Sequence, residues 1–390
     1  MDIKELDQKY VMHTYARNDL LIDHGKGATL YDDKGNSYID FTSGIGVSSI
    51  GYANEKQIAA VSEQISKLAH ISNLYYTAPC AQVAEKLIER TGMGAVFFGN
   101  SGAEANEGMV KLARKYSFDK YGDGRSTILT LLNSFHGRTI TTLKATGQDH
   151  FHEFFMPFTP GFSYAPANDY DALIAQVKED TCAIMLELIQ GEGGVMPMDK
   201  EYVQKVAAYC KEHDLLLLID EVQTGIGRTG KLFAYMNYEI QPDVVSFAKG
   251  IAGGLPMGGF ICSPDLVDVL GPGDHGSTFG GNPVACASAN VVLDVLTDDV
   301  IAEVAKKGDY IRQQIASWNC DFVTSVRGMG LMIGIGLDGV VNKDLAKALM
   351  ERGLLVLTAG QNTLRLLPPL TISQEELEKG LELMAGLLKA

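Results

Sequence analysis

Apolar and polar positions along this chain fall into two textures that change near residue 281. From about 95 to 280, short unbroken apolar runs alternate with stretches of helical spacing. The runs are 95–99 (AVFFG), 127–132 (TILTLL), 183–188 (AIMLEL), 215–220 (LLLLID) and 244–248 (VVSFA), with helical patterns such as 103–121 and 200–213 between them. A strand with one wet face alternates apolar and polar residues, whereas an unbroken run is buried on both faces. The pattern therefore predicts a parallel sheet covered by helices. Beyond 281 the spacing predicts a long helix over 283–317, strands over 331–337, 354–358 and 363–367, and a helix near 343–352. A final helix starts at a capping box of Ser373 and Glu376 and carries Leu377, Leu381, Met384 and Leu388 on one face. This second texture reads as a smaller α+β unit.

The N-terminal part predicts a short helix over 3–11, two strands within 28–41 around the turn Asp33-Lys34-Gly35-Asn36, and helices over 54–69 and 79–90. Chain ends commonly lie close together, so the hairpin is expected to pack with the small domain. The expected division is 1–40 as an N-terminal segment, 41–281 as the large domain and 282–390 as the small domain.

Charge narrows the list of partners. Against 33 basic residues stand 48 acidic ones, a net −15. A nucleic-acid partner needs clustered cations, and so does an anionic membrane; neither is expected. The six cysteines include no CxxC pair and no Cys/His zinc spacing, which predicts free thiols in a reducing compartment and no metal site. The N-terminus lacks the apolar core of a secretion signal, and the run 215–219 is far shorter than the ~20 residues of a membrane helix, so a cytoplasmic protein is expected.

Three places offer chemistry. The run 95–99 ends in Gly-Asn-Ser-Gly and a helix begins, with Ser101 and Glu104 spaced as a capping box. A helix N-terminus after a glycine-flanked turn presents free N–H groups and positive dipole to an anion, typically phosphate; the alternative is an ordinary capped helix. The run 215–220 ends in two carboxylates, Asp220 and Glu221, where open α/β sheets bind ligands; alternatively Asp220 caps the next segment. The run 244–248 ends at Lys249 beside a glycine-rich loop, where desolvation lowers an amine pKa and makes a nucleophile; the alternative is a surface lysine. GIGRTG (225–230) and GIGLDG (334–339) fit a dinucleotide fingerprint, but neither sits between a strand and a long helix. Taken together, an anion-ready helix end, a strand-end acid and a strand-end lysine are the equipment pyridoxal 5'-phosphate requires.

In these and further motifs the sequence resembles the class III (subgroup II) aminotransferases, of the acetylornithine/ornithine type. The motifs that carry the resemblance are SGAEANE, FHGRT, QGEGGV, IDEVQTGIGRTG, AKGIAGGLPMGG, HGSTFGGNP and LRLLPPL, in that order from about residue 12 to 388. The resemblance implies the fold type I pyridoxal-phosphate architecture: α/β, with a mostly parallel seven-stranded sheet in a large cofactor-binding domain and a smaller α+β domain. It implies that Lys249 bonds the cofactor aldehyde, that Asp220 pairs with its ring nitrogen, and that Phe135 and Val222 pack on the two ring faces. Gln223 would lie near the ring oxygen. Ser101, Gly102 and Ala103 would meet the phosphate, and Thr278 would reach the phosphate of a neighbouring subunit in a homodimer. Arg138 and Arg365 would hold substrate carboxylates, Ser277 would lie near the substrate, and Glu192 would mask Arg365 until 2-oxoglutarate binds. His136 is expected to be structural.

The implied reaction is transfer of the terminal amine of N2-acetylornithine to 2-oxoglutarate, with ornithine, succinylornithine and 4-aminobutyrate as alternative donors. An isomerase on the same cofactor, a nicotinamide oxidoreductase and a non-enzymatic binding protein are the other readings. The chain departs from the family pattern at Leu188 (Glu-Pro is usual), at GYANE (51–55) and at Phe260.

Overall fold

The computed structural model describes residues 2–360 and 362–389. Its centre is a seven-stranded sheet: β1 (Ala95–Gly99), β2 (Thr127–Leu131), β3 (Phe162–Ala165), β4 (Thr181–Leu186), β5 (Leu216–Asp220), β6 (Val244–Phe247) and β7 (Gly258–Cys262). The spatial order is β1-β7-β6-β5-β4-β2-β3. Only β7 runs antiparallel to its neighbours, β6 and β1. The five apolar runs are all strands of this sheet, and β3 and β7 are additions. β7 is missing from the hydrophobic pattern because Gly258 and Gly259 open it. A Cβ on Gly259 would lie 2.2 Å from the Phe97 carbonyl oxygen, so glycine is what lets β7 close on β1.

The unbroken runs divide by strand alternation. Leu216 and Leu218 join Ala183, Met185 and the helix residues Met109 and Leu112 on one face. Leu217 and Ile219 join Ile184, Leu186, Val203 and Val206 on the other. Both faces are therefore dry, as the absence of alternation requires.

The long helical stretch after 281 is two helices, Pro283–Val295 and Asp298–Ser317. Thr297 separates them because its side chain accepts the Val300 N–H and caps the second. An antiparallel sheet of Val323–Met329, Met332–Leu337, Thr363–Leu366 and Leu357–Ala359 comes next. The predicted strand over 354–358 serves two sheets: Leu354–Leu355 pairs in parallel with Ser37–Asp40, while Leu357–Ala359 pairs with Thr363–Leu366. Through that pairing the N-terminal strands Ile22–Lys26, Thr29–Asp32 and Ser37–Asp40 form one sheet with a C-terminal segment. The closing helix Gln374–Leu388 has its expected capping box at Ser373 and Glu376, and Glu376 also accepts the Ala28 N–H at 2.7 Å.

The two GxGxxG sequences are packing devices. In the first, Gly227 and Gly230 take positive φ, and Arg228 is buried, donating to the carbonyls of Leu331 (2.9 Å) and Pro368 (2.6 Å). In the second, Gly334 and Gly336 lie within the strand Met332–Leu337. All six cysteines are free thiols. No helix among the described residues is long and apolar enough to cross a membrane.

Helix Asp298–Ser317 crosses the turn at Gly330 so closely that a Cβ on Gly308 would lie 1.9 Å from the Gly330 oxygen. Gly308→Ala is therefore expected to destabilise the protein by about 1–3 kcal/mol, although alanine is the better helix former. Gly386, exposed in helix Gln374–Leu388 with its nearest outside neighbour at 3.5 Å, is the control. Gly386→Ala is expected to stabilise by up to about 1 kcal/mol. Urea midpoints of the two variants check the opposite signs.

Candidate active site

The carboxyl ends of β1, β2, β5 and β6 open on one cavity of about 400 Å³. Ser101, Gly102, Ala103, Phe135, Arg138, Asp220, Val222, Gln223 and Lys249, nine of the thirteen predicted site residues, line it.

After β1 the chain turns into helix Gly102–Tyr121, with Ser101 as N-cap accepting the Glu104 N–H at 3.2 Å. The predicted capping box is only half formed. Glu104 sends its carboxylate one residue further back, to the Asn100 N–H at 2.6 Å. First-turn amides of a helix have no intrahelical acceptor, so those of Gly102 and Ala103 face the cavity as anion donors. A Cβ on Gly102 would come within 2.6 Å of Val222 Cγ1, so glycine is what lets the Val222 side chain pack directly on this helix end.

Asp220 ends β5 and is buried. Its Oδ2 accepts Asn106 Nδ2 at 2.7 Å and pairs with His136 Nδ1 at 2.8 Å. Its Oδ1 accepts the Val222 N–H at 3.0 Å and the Ser246 hydroxyl at 3.4 Å. His136 is fully buried; burial opposes its charged form, but hydrogen bonding to Asp220 overcomes this and raises its pKa. The neighbouring Glu221 is structural. It accepts Thr224 Oγ1 and the N–H groups of Ala234 and Tyr235, holding the turn after β5.

Lys249 comes just after β6 in a left-handed conformation, φ 47°, which costs a non-glycine residue about 1–3 kcal/mol and clusters at functional sites. Its Nζ makes no hydrogen bond or ion pair among the described residues. Burial lowers its pKa, and Arg365 lowers it further. The residue is mostly covered, and what remains open faces the cavity.

Arg365, buried on the strand Thr363–Leu366, donates from Nη1 to Glu192 Oε1 at 2.6 Å and Gln223 Oε1 at 3.1 Å. The Glu192 carbonyl accepts the Gly360 N–H at 2.8 Å, which ties this turn to the C-terminal part. Arg138 is exposed and has no acidic partner among the described residues. Its guanidinium lies over the Phe151 and Phe135 rings. Ser277 Oγ accepts Asn100 Nδ2 at 3.1 Å and the Gly280 N–H at 2.9 Å, which places it beside the helix end rather than within the cavity lining. Thr278 is exposed and outside that lining in the single chain.

Two residues absent from the predicted set belong here. Asn106 lies one turn after Gly102 on the same helix face, a spacing that could have flagged it. Glu187 lines the cavity and accepts the N–H groups of Phe135 (2.8 Å) and Gly191 (3.4 Å), joining the two loops that carry Phe135 and Glu192. Burial pushes its pKa up to about 7. The three departures from the family pattern have structural places. Leu188 is buried, with its carbonyl accepting the Met198 N–H and the Tyr238 hydroxyl. In GYANE, Tyr52 donates to buried Asp40 at 2.7 Å and Asn54 caps helix Glu55–Lys67. Phe260 stacks on Phe97.

These features fit pyridoxal 5'-phosphate on the structure's own terms: anion donors at a helix end, a buried acid, and an unpaired amine of lowered pKa, around one cavity. The aminotransferase class-III family model matches residues 10–388. An acetylornithine aminotransferase of Haemophilus ducreyi is 52% identical over 99% of this chain and 98% of that protein. The ornithine aminotransferase structure from Toxoplasma gondii superposes with a TM-score of 0.95 at 32% identity, covering 99% of this chain and 93% of that one. An N-acetylornithine aminotransferase from Stenotrophomonas maltophilia superposes at 0.85 with 34% identity, covering 98% and 97%. The chain belongs to the class-III aminotransferases, enzymes that depend on pyridoxal phosphate, and the seven-stranded sheet is that of fold type I.

Glu187 predicts a pH dependence. Its folded pKa of about 7 lies above the ~4.3 of a free glutamate, so the folded state keeps a proton that the unfolded state releases. The stabilisation is fully present below about pH 4.3 and is lost as pH rises through 7. The apoprotein is expected to lose stability between pH 5 and 7.5, and Glu187→Gln to reduce that loss. Glu221, also pushed up to about 7 by burial, contributes to the remainder, as do His136, Asp40 and Asp243, whose folded pKa values are raised as well. Urea unfolding of the cofactor-free protein at the two pH values measures both slopes.

Proposed function

We propose that this class-III aminotransferase moves the terminal amino group of N2-acetylornithine to 2-oxoglutarate, giving N-acetylglutamate semialdehyde and glutamate in a ping-pong cycle. The carrying observation is the contrast between its two site arginines: Arg365 is held by Glu192, while Arg138 has no acid beside it. A donor with one carboxylate needs one open guanidinium, and a dicarboxylic acceptor needs two. The acetylornithine aminotransferases among the relatives support the same donor, and such an enzyme would serve arginine biosynthesis.

When bound, pyridoxal 5'-phosphate supplies an aldehyde that condenses with amines and a ring that withdraws electrons from the substrate carbon. The chain supplies the rest. Asp220, fixed by four donors, keeps a proton on the ring nitrogen. Gly102 and Ala103 donate to the phosphate, with Ser101 at the same helix end. Phe135 and Val222 would pack against the ring, and Gln223 would meet its oxygen. Lys249 would anchor the cofactor aldehyde, and its lowered pKa would let the free amine take a proton from the substrate carbon and return it elsewhere. Arg138 orients the donor's carboxylate, with Ser277 on the helix-end side. Exchange of Glu192 for a substrate carboxylate then opens Arg365 to the acceptor.

The active unit in this reading is a homodimer in which Thr278 reaches the partner's phosphate. Its support is the exposure of Leu74, Tyr75, Tyr76 and Phe279 near the segment that holds Thr278, since clustered exposed apolar side chains mark interaction surfaces. We place the domain boundaries at 40/41 and 281/282 and the enzyme in the cytoplasm.

An amino-donor panel with 2-oxoglutarate tests the substrate. N2-acetylornithine is expected to give the highest kcat/KM, and a higher value with ornithine, succinylornithine or 4-aminobutyrate would reassign the donor. Lys249→Ala is expected to lower kcat by at least ~10²–10⁴-fold. Borohydride should fix the cofactor to the peptide containing Lys249 in the wild type and to no peptide in the variant.

A further inference from the structure

We infer that Phe151 is a positioning residue that holds the Arg138 guanidinium in its carboxylate-receiving orientation, and so favours amino donors with a carboxylate remote from the reacting amine. This rests on the reading that Arg138 binds that carboxylate.

An exposed arginine beside a binding cavity has a problem of its own. Its charge needs no counter-ion in water, but about 2 kcal/mol of rotamer entropy opposes holding it in one place. A neighbouring carboxylate would fix it and at the same time occupy it. Arg138 has no such neighbour: it makes no hydrogen bond or ion pair among the described residues. What it has is two ring faces. Its Cζ lies 4.1 Å from the Phe151 centroid and 5.5 Å from that of Phe135. The rings meet edge to face at 5.9 Å and 67°, so they form a corner rather than a single wall. A guanidinium lying on a ring keeps its N–H donors in its own plane, pointing outward, which is the geometry a bidentate carboxylate needs.

Phe151 is itself held to the loop that carries Arg138. It ends the single turn Asp149–Phe151. Just before that turn, Gln148 donates to the Ser134 carbonyl at 2.9 Å, and the Gly147 carbonyl accepts the Asn133 N–H at 2.7 Å. Gly147 N–H also donates to Ser134 Oγ at 3.0 Å. Ring and guanidinium therefore hang from one support. On its other side Phe151 lines the neighbouring cavity of about 950 Å³ together with Glu192, so the ring borders the space where the second carboxylate site opens. Nothing in the local sequence marks Phe151. Among Phe151, Phe154, Phe155 and Phe158, it is the one whose ring lies under the arginine.

The test uses holoenzyme and two unreactive ligands: N-acetylnorvaline, which is the donor without its terminal amine, and its carboxamide, which lacks the carboxylate as well. Calorimetry gives their Kd values for wild type, Phe151→Leu, Phe151→Met, Phe151→Tyr and Arg138→Ala, with cofactor absorbance reporting that each variant is loaded. Phe151→Leu and Phe151→Met are expected to weaken N-acetylnorvaline about fivefold and leave the carboxamide unchanged, while Phe151→Tyr stays within about twofold of wild type. KM for N2-acetylornithine should rise in parallel, with kcat held within about twofold. Loss of affinity in Arg138→Ala without loss in the leucine and methionine variants would overturn the inference and leave the carboxylate reading standing. Equal weakening of both ligands by Phe151→Leu would also overturn it, because the ring would then be plain wall. No change in Arg138→Ala would remove the carboxylate reading and this inference with it.

Discussion

The structure turns on a buried carboxylate. Asp220 ends the central strand Leu216–Asp220 with both oxygens out of water. A buried charge left unpaired is costly enough that a chain neutralises it or satisfies it fully. Here the donors come from four places: Asn106 on the helix after the first strand, His136 in the loop after the second, Val222 in the carboxylate's own turn, and Ser246 on the adjacent strand. Each cavity wall is a short step from one of them. Gly102 is one helical turn before Asn106, Phe135 is next to His136, Val222 is its own wall, and Lys249 is three residues past Ser246. Satisfying Asp220 therefore assembles the site, and the carboxylate's folding requirement and its proposed chemical use are met by the same contacts.

The second constraint is charge. The protein carries −15 overall, yet its reaction handles carboxylate substrates. The cavity answers this locally. Lys249 and Arg138 line it and Arg365 stands behind Gln223, while burial pushes the nearby Glu187 and Glu221 up to about 7, where much of their negative charge is withdrawn. Glu187 is the more telling of the two. Burial raises its pKa in spite of two backbone N–H bonds, which favour the ionised form and join the Phe135 loop to the Glu192 loop. Glutamine would keep part of that bridge, but it would not carry a charge that responds to the cavity.

Much of this was legible in the sequence because burial on both faces leaves an unmistakable trace. The runs at 95–99, 127–132, 183–188, 215–220 and 244–248 are the strands whose ends carry the chemistry. The strand Gly258–Cys262 was silent because its fit depends on missing side chains, and a hydrophobic pattern records only those present. The single strand expected over 354–358 divides between two sheets at Val356, since a two-residue pairing has no period of its own. In the site, the residues proposed to act directly were named from motifs, and nine of the thirteen line one cavity. Those that act through others, Asn106 and Glu187, are invisible until distance in sequence becomes contact in space. The GIGRTG motif misleads for the complementary reason: its glycines satisfy positive φ and close packing around buried Arg228, requirements that a nucleotide loop happens to share.

The two arginines show how one ion can be prepared in two ways. Arg365 is buried, so an empty site would strand its charge; Glu192 removes that penalty at 2.6 Å. Replacing one carboxylate by another leaves the number of paired charges unchanged, so in the proposed cycle a substrate carboxylate competes with Glu192 and with no large desolvation barrier. Arg138 stands in water and bears no such penalty. For it, a resident acid would bring only competition, whereas an aromatic face restrains the guanidinium and leaves its hydrogen-bond donors free. Burial thus decides the chemistry of the support: a counter-ion where the charge is dry, and a ring where it is wet. In the proposed cycle, a site with one support of each kind would accept a monocarboxylate without rearrangement and a dicarboxylate by moving a single side chain, which is the alternation a ping-pong transfer between unlike substrates demands.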